Sequence, residues 1–209
     1  VADFKQYTHH IMLTYLALGD SYTIGEQVPY AQNFPMQTVA LLQQKNIQVA
    51  QPVIVATTGW TTDELQAAIR EKAINETFSF VSLLIGVNNQ YRGRSLENYQ
   101  AEFTQLLTQA IHFANGHSDK VIVLSIPDWG VTPFAEGKDR ALIALEIDAY
   151  NAAAQQITLL HKCHFINITD SSRANGLKED FLAEDQLHPS GKEYTVWAER
   201  LAERIAQLF

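Results

Sequence analysis

The sequence predicts an α/β fold, a doubly wound parallel sheet of five strands with helices on its faces. Three observations predict it. Five short apolar runs alternate along the chain with longer amphipathic segments. Most of the runs are rich in branched aliphatic residues, as strands buried on both faces of a parallel sheet should be. No repeat, low-complexity tract or Pro/Gly/Ser-rich linker breaks the alternation. A chain of 209 residues fits one domain with a sizeable core, so residues 1–209 are expected to form a single domain.

The expected strands are Ile11–Leu18, Gln48–Ala56, Phe78–Ile85, Val121–Ile126 and His164–Ile168. Helices fall between and after them. Thr61-Thr62-Asp63-Glu64 has the form of a capping box and opens a helix running to about Lys72. Ser95 caps an amphipathic segment ending near Phe113. Asp139–Leu160 carries apolar residues at helical spacing, as in Leu142, Leu145 and Ala149. Ser190-Gly191-Lys192-Glu193 reads as a second capping box, opening a last helix that ends near Leu208. Repeated strand–helix alternation implies right-handed crossovers, and in such sheets ligands bind in loops at the carboxyl ends of the strands.

Composition narrows the function classes. Hydrophobic residues are 46% and charged residues 18%, a globular balance, and the formal net charge is −8. That charge, with the 15 Lys and Arg scattered rather than clustered, disfavours nucleic acid or an anionic membrane as partner. Cys163 is the only cysteine, which excludes an internal disulfide and a multi-cysteine zinc site. It is expected to be a small buried residue. His161 and His164 stand at His-x-x-His spacing, but a third ligand is missing, and His9-His10 is uninformative. No metal and no cofactor is expected. No apolar stretch is long enough for a membrane span, and Val1 to His10 lacks the pattern of a signal peptide. The cytoplasm is the expected compartment; a leader already cleaved would leave no trace.

The loops after the strands carry the chemistry. The first run leads into Gly19-Asp20-Ser21, where glycine permits a tight turn and the serine hydroxyl reaches the sheet rim. An Asp/Ser pair that merely caps a helix is the commoner meaning of that tripeptide. Asp20 is expected to brace the Ser21 loop through backbone hydrogen bonds. The second run ends at Gly59, where a backbone N–H has room to face a ligand, and the third at Asn88, whose amide suits a developing negative charge. Ordinary turn residues would look the same. Near the C-terminus, Asp185-Gln186-Leu187-His188 sets a carboxylate beside an imidazole, as a general base needs. Four weak signals in the right loops and in the right order carry more weight together than singly. Trp60, Tyr91 and Trp129 follow strand ends and are candidates either to wall a substrate cleft or to cover the sheet edge. Trp197, inside the last helix, is expected in the core.

These four blocks resemble the SGNH, or GDSL-type, hydrolase family over roughly residues 15–205. The resemblance implies a flavodoxin-like three-layer α/β/α sandwich. It also implies a serine esterase or lipase with Ser21 as nucleophile, His188 and Asp185 completing the triad, and an oxyanion hole from Ser21, Gly59 and Asn88. Tyr22 stands where the family name expects leucine, and Asn89 where the family often has aspartate; both are expected near the substrate. The expected partner is a small-molecule ester, with an acetylated sugar, lysophospholipid or thioester as further possibilities. Neither nucleic acid nor a stable membrane association is expected. Two other readings stay open: an acyltransferase using the same acyl-enzyme, and a non-catalytic flavodoxin-like binding module. No Gly-x-Ser-x-Gly elbow, Walker loop or Gly-x-Gly-x-x-Gly fingerprint occurs.

Overall fold

The structure, a computed structural model, describes residues 12–209; Ile11 of the first expected strand and the His9-His10 pair lie outside them. Its five strands are β1 (Tyr15–Asp20), β2 (Val53–Thr57), β3 (Phe80–Leu84), β4 (Val121–Leu124) and β5 (His164–Ile166), in the spatial order β2-β1-β3-β4-β5. Every pairing is parallel. The three central strands are buried along their whole length, whereas the edge strands β2 and β5 are only partly covered. Largely apolar runs thus mark β1, β3 and β4, as a sheet covered on both faces requires.

The first two strands depart furthest from expectation. The first begins at Tyr15 and continues through Gly19 and Asp20, while Leu13 makes only a single bridge to Val49. The second begins at Val53 rather than Gln48. Pro52 has no N–H for the ladder, so pairing restarts after it.

Eight α-helices accompany the sheet among the described residues: α1 (Ser21–Ile24), α2 (Phe34–Gln44), α3 (Thr62–Lys72), α4 (Val87–Tyr91), α5 (Leu96–Phe113), α6 (Arg140–Leu160), α7 (Thr169–Asn175) and α8 (Gly191–Ala206). The chain moves outward from β1 to β2, then reverses direction through β3, β4 and β5. With right-handed crossovers, that reversal puts α2 on one face and α3, α5 and α6 on the other. Packing agrees: α2 lies against α8, while α5 lies against both α3 and α6. The result is a three-layer α/β/α sandwich of flavodoxin-like strand order.

The helix starts follow local chemistry. Thr61 N–H donates to the Glu64 carboxylate at 2.8 Å, Ser95 accepts from Asn98 N–H at 3.2 Å, and Asp139 accepts from Leu142 N–H at 3.0 Å. The helix α2, not singled out in the sequence, starts with Asn33 accepting from Met36 N–H at 2.9 Å and Pro35 in its first turn; both are start signals.

At α8 the expected box does not form. Ser190 accepts from Lys192 N–H at 3.2 Å, but Glu193 turns inward to take hydrogen bonds from Ser171, Asn175 and Trp197. The face expected for α6 is also corrected. Leu142, Leu145 and Ala149 are exposed, and Ile143, Ile147, Tyr150 and Ala154 are the residues that meet the core. Trp197 and Cys163 are buried as expected, and burial pushes the Cys163 thiol up to about 12.

Candidate active site

The carboxyl edge of the sheet is where the order reverses, with β2 on one side of β1 and β3 on the other. Loops diverge at such a point and leave a crevice. Strand β1 delivers Asp20 to its end, where Oδ1 caps α1 by accepting from Tyr22 N–H at 3.0 Å. Ser21 is therefore the first residue of α1, and its N–H belongs to a turn lacking intrahelical acceptors. The role of Gly19 differs from the one expected. It lies within the strand, and a Cβ there would come within 2.5 Å of the Leu84 carbonyl oxygen and overlap Thr23 as well. Close packing, not a turn, excludes a side chain.

The second half of the site arrives 167 residues later in the chain. Asp185 Oδ1 accepts from the backbone N–H groups of Leu187 and His188 at 3.0 and 2.9 Å, folding the loop back on itself with Gln186 in the left-handed region at φ 58. An antiparallel bridge between Leu182 and Pro189, with Ala183 N–H donating to the His188 carbonyl at 2.8 Å, braces the loop. His188 Nδ1 consequently sits 2.5 Å from Asp185 Oδ2, and Nε2 sits 2.9 Å from Ser21 Oγ. Burial alone would raise the Asp185 carboxyl. Hydrogen bonds from the His188 ring and from the His188 and Leu187 N–H groups outweigh it and hold the group below the ordinary carboxylate value. Asp185 stays ionised, which favours the tautomer carrying its proton on Nδ1 and leaves Nε2 free to accept from a serine hydroxyl.

Gly59 takes φ +82, a conformation that favours glycine, and its carbonyl receives the Arg92 guanidinium at 2.6 Å. Arg92 also pairs with Glu64 at 3.2 Å, tying the Gly59 loop to α3. Sequence reasoning missed Arg92, since a lone arginine after a short helix has no motif. Asn88, in α4, lines the same cleft as Ser21 and Gly59. Its amide nitrogen donates to Asp20 Oδ2 at 3.2 Å and to the Trp60 carbonyl at 3.0 Å. Both hydrogens of that amide are thus engaged, one of them by the residue preceding Ser21.

Asn89 is not at the substrate cleft. It is fully buried and exchanges two hydrogen bonds with Thr62, accepting from its N–H at 3.1 Å and donating to its hydroxyl at 2.6 Å. Tyr22 does face the site, with its ring 5.2 Å from that of His188. The cleft, of about 180 Å³, is walled by Tyr91, Trp129, Phe134, Leu187 and Val87 around Ser21 and His188. Trp60 is not among the lining residues; it contributes its carbonyl to Asn88 instead. Trp129 is fixed by its indole N–H to Gln90 at 2.7 Å and meets Tyr91 and Phe134 edge-on. Phe134 and Leu187 were not foreseen. Among the described residues no three His, Cys, Asp or Glu side chains gather to hold a metal ion.

Asp20 is buried, and among the described residues no cation pairs with it. Burial pushes its carboxyl up to about 7, against hydrogen bonds from Tyr22 N–H and Asn88 that lower it. The folded protein therefore holds this proton more tightly than the unfolded chain, whose ordinary value is 3.8. Stability from Asp20 is full below that value, declines as pH rises towards about 7, and is level above. Asp20→Asn removes the decline. In urea melts at pH 4, 5.5 and 7.5, its stability relative to wild type should climb with pH at up to about 1.4 kcal/mol per pH unit. A difference independent of pH would mean that Asp20 ionises normally.

The family model of the GDSL-like lipase/acylhydrolase family matches residues 17–196. Solved structures share the fold. A lipase, Lip_vut3, from a goat rumen metagenome superposes with a TM-score of 0.75 at 19% identity, over 92% of this chain and 97% of its own. The acetylxylan esterase Axe2 of Geobacillus stearothermophilus gives 0.72 at 21% identity, over 92% and 94%, and TesA gives 0.72 at 17%, over 94% and 99%. No curated protein matches the chain. The family match spans most of the sequence and includes every block from Ser21 to His188: the chain belongs to the GDSL-like lipase/acylhydrolase family of carboxylic ester hydrolases.

Proposed function

We propose that this protein hydrolyses small or short-chain carboxylic esters through an acyl-enzyme on Ser21. The observation that carries the proposal is the Ser21 hydroxyl lying 2.9 Å from His188 Nε2 at the floor of a cleft. Serine is a weak nucleophile until a base stands within hydrogen-bond reach. His188 takes the Ser21 proton as Oγ attacks the ester carbonyl, and Asp185 orients the ring and stabilises the imidazolium. The oxyanion is received by the N–H groups of Ser21 and Gly59 and by the Asn88 amide, which gives up one of its two hydrogen bonds, to Asp20 or to the Trp60 carbonyl, in order to donate. His188 then gives its proton to the departing alcohol. Water, activated by the same imidazole, attacks the acyl-enzyme and releases the acid.

The size of the cleft supports a small substrate. Tyr91, Trp129 and Phe134 crowd a space of about 180 Å³, below the range of pockets that bury drug-sized ligands. The structural relatives include an acetylxylan esterase and lipases, so acetylated sugars belong in the test beside simple esters. The experiment is a p-nitrophenyl ester series from acetate to dodecanoate, with acetylated xylose and a lysophospholipid, run beside Ser21→Ala. The highest kcat/KM is expected on acetate or butyrate, falling beyond hexanoate. A maximum on long chains or on the lysophospholipid overturns the short-chain reading. Hydrolysis that does not depend on Ser21 overturns the mechanism. Adding a competing alcohol and analysing the products separates hydrolysis from acyl transfer.

A further inference from the structure

Behind the cleft lies a second, smaller void of about 20 Å³, room for little more than one water. Its far wall is largely apolar, built from Pro127, Gly176, Phe181, Leu182 and Pro189. Five polar side chains also border it, and all are committed elsewhere: Thr132 donates to the Trp129 carbonyl, Ser172 to the Thr169 carbonyl and Asn175 to Glu193, and the two carboxylates have partners of their own. Glu193 accepts from Ser171, Asn175 and Trp197, and Asp128 accepts from Gly130 N–H and pairs with Arg173 at 2.9 Å. The void therefore suits methylene groups better than solvent.

Three side chains, Tyr22, Trp129 and Leu187, border both spaces. A side chain that touches two cavities is part of the wall between them. Two members of this wall are pinned. Trp129 is 5% exposed and tied to Gln90, and Tyr22 is 3% exposed between the rings of His188 and Trp197. Leu187 is half-buried, and no hydrogen bond holds its side chain. Only dispersion keeps it in place.

We propose that Leu187 is a specificity-determining residue, closing the cleft against the apolar void and so limiting the length of the ester's alkyl arm. The proposal rests on the ester-hydrolase reading of Ser21. Shortening Leu187 joins the two spaces, and the arm then runs on between Phe181, Leu182 and Pro189. Each methylene newly buried should raise kcat/KM about fourfold, the equivalent of about 0.8 kcal/mol.

The test is Leu187→Ala assayed against two series, p-nitrophenyl acetate to octanoate and methyl to hexyl acetate. The hexanoate-to-acetate or hexyl-to-methyl ratio of kcat/KM should rise about fifteenfold over wild type in at least one series, as burial of two methylenes implies. Because the ratio is read, a uniform loss from disturbing the neighbouring His188 cancels. Leu187→Phe should move the same ratio down, and it adds volume rather than a cavity, so it serves if the alanine variant fails to fold. Ratios within twofold of wild type in the folded variants overturn the proposal while leaving the esterase intact. Absence of Ser21-dependent acetate hydrolysis in the wild type removes both readings.

Discussion

Ser21→Ala should cost on the order of 10⁵–10⁶ in kcat, because the variant leaves the base with nothing to activate. Among the described residues, Ser21 supplies the one hydroxyl hydrogen-bonded to His188 Nε2. His188→Ala should cost a similar factor, and the double variant should cost no more than either single one, because nucleophile and base act as a unit. Initial rates on p-nitrophenyl acetate check the losses, and labelling by a fluorophosphonate probe checks the nucleophile. Ser21 is buried but small, so the variant should melt close to wild type. More than a tenth of wild-type activity in Ser21→Ala, or additive losses in the double variant, would overturn the assignment.

Asp185→Asn should cost about 10⁴ in kcat with KM little changed. The reason lies in how the loop holds this side chain. Asp185 Oδ1 is occupied by the N–H groups of Leu187 and His188, and Oδ2 faces His188 Nδ1. An asparagine keeps its oxygen on the two backbone donors and turns its NH₂ towards Nδ1. The ring must then carry its proton on Nε2, pointing at Ser21, where an acceptor is needed. The wild-type carboxylate is held below the ordinary carboxylate value by those same hydrogen bonds, so acid should not neutralise it before pH falls past that value. Steady-state kinetics on the folded variant decide the matter. A loss below tenfold would mean that Asp185 does not orient the ring.

The sheet and the loops at its carboxyl edge were legible because each depends on local chemistry. β1, β3 and β4 are buried throughout, so their runs are apolar but for Ser82 and the terminal Asp20. The Thr61, Ser95 and Asp139 starts were legible for the same reason. The errors fall where tertiary packing decides. Helix α6 carries two apolar stripes, Leu142–Leu145–Ala149 and Ile143–Ile147–Tyr150. Helical spacing fits both, and only the position of the sheet selects the second. Glu193 and Asn89 look like a capping residue and a cleft residue until their buried partners, Ser171 and Thr62, are in place. Phe134 and Arg92 come from segments without a motif, and Leu187 fills an unspecified position inside the Asp185–His188 block, so position in space alone reveals them.

The hydroxyl and the imidazole come from opposite ends of the chain, 167 residues apart. A fragment lacking either end has no such pair, and in the whole chain the entropy of closing so long a loop is offset by the layers packed between. Turnover therefore reports whether the entire architecture is assembled, while circular dichroism also responds to helices formed in isolation. A refolding assay built on catalysis would count complete molecules alone.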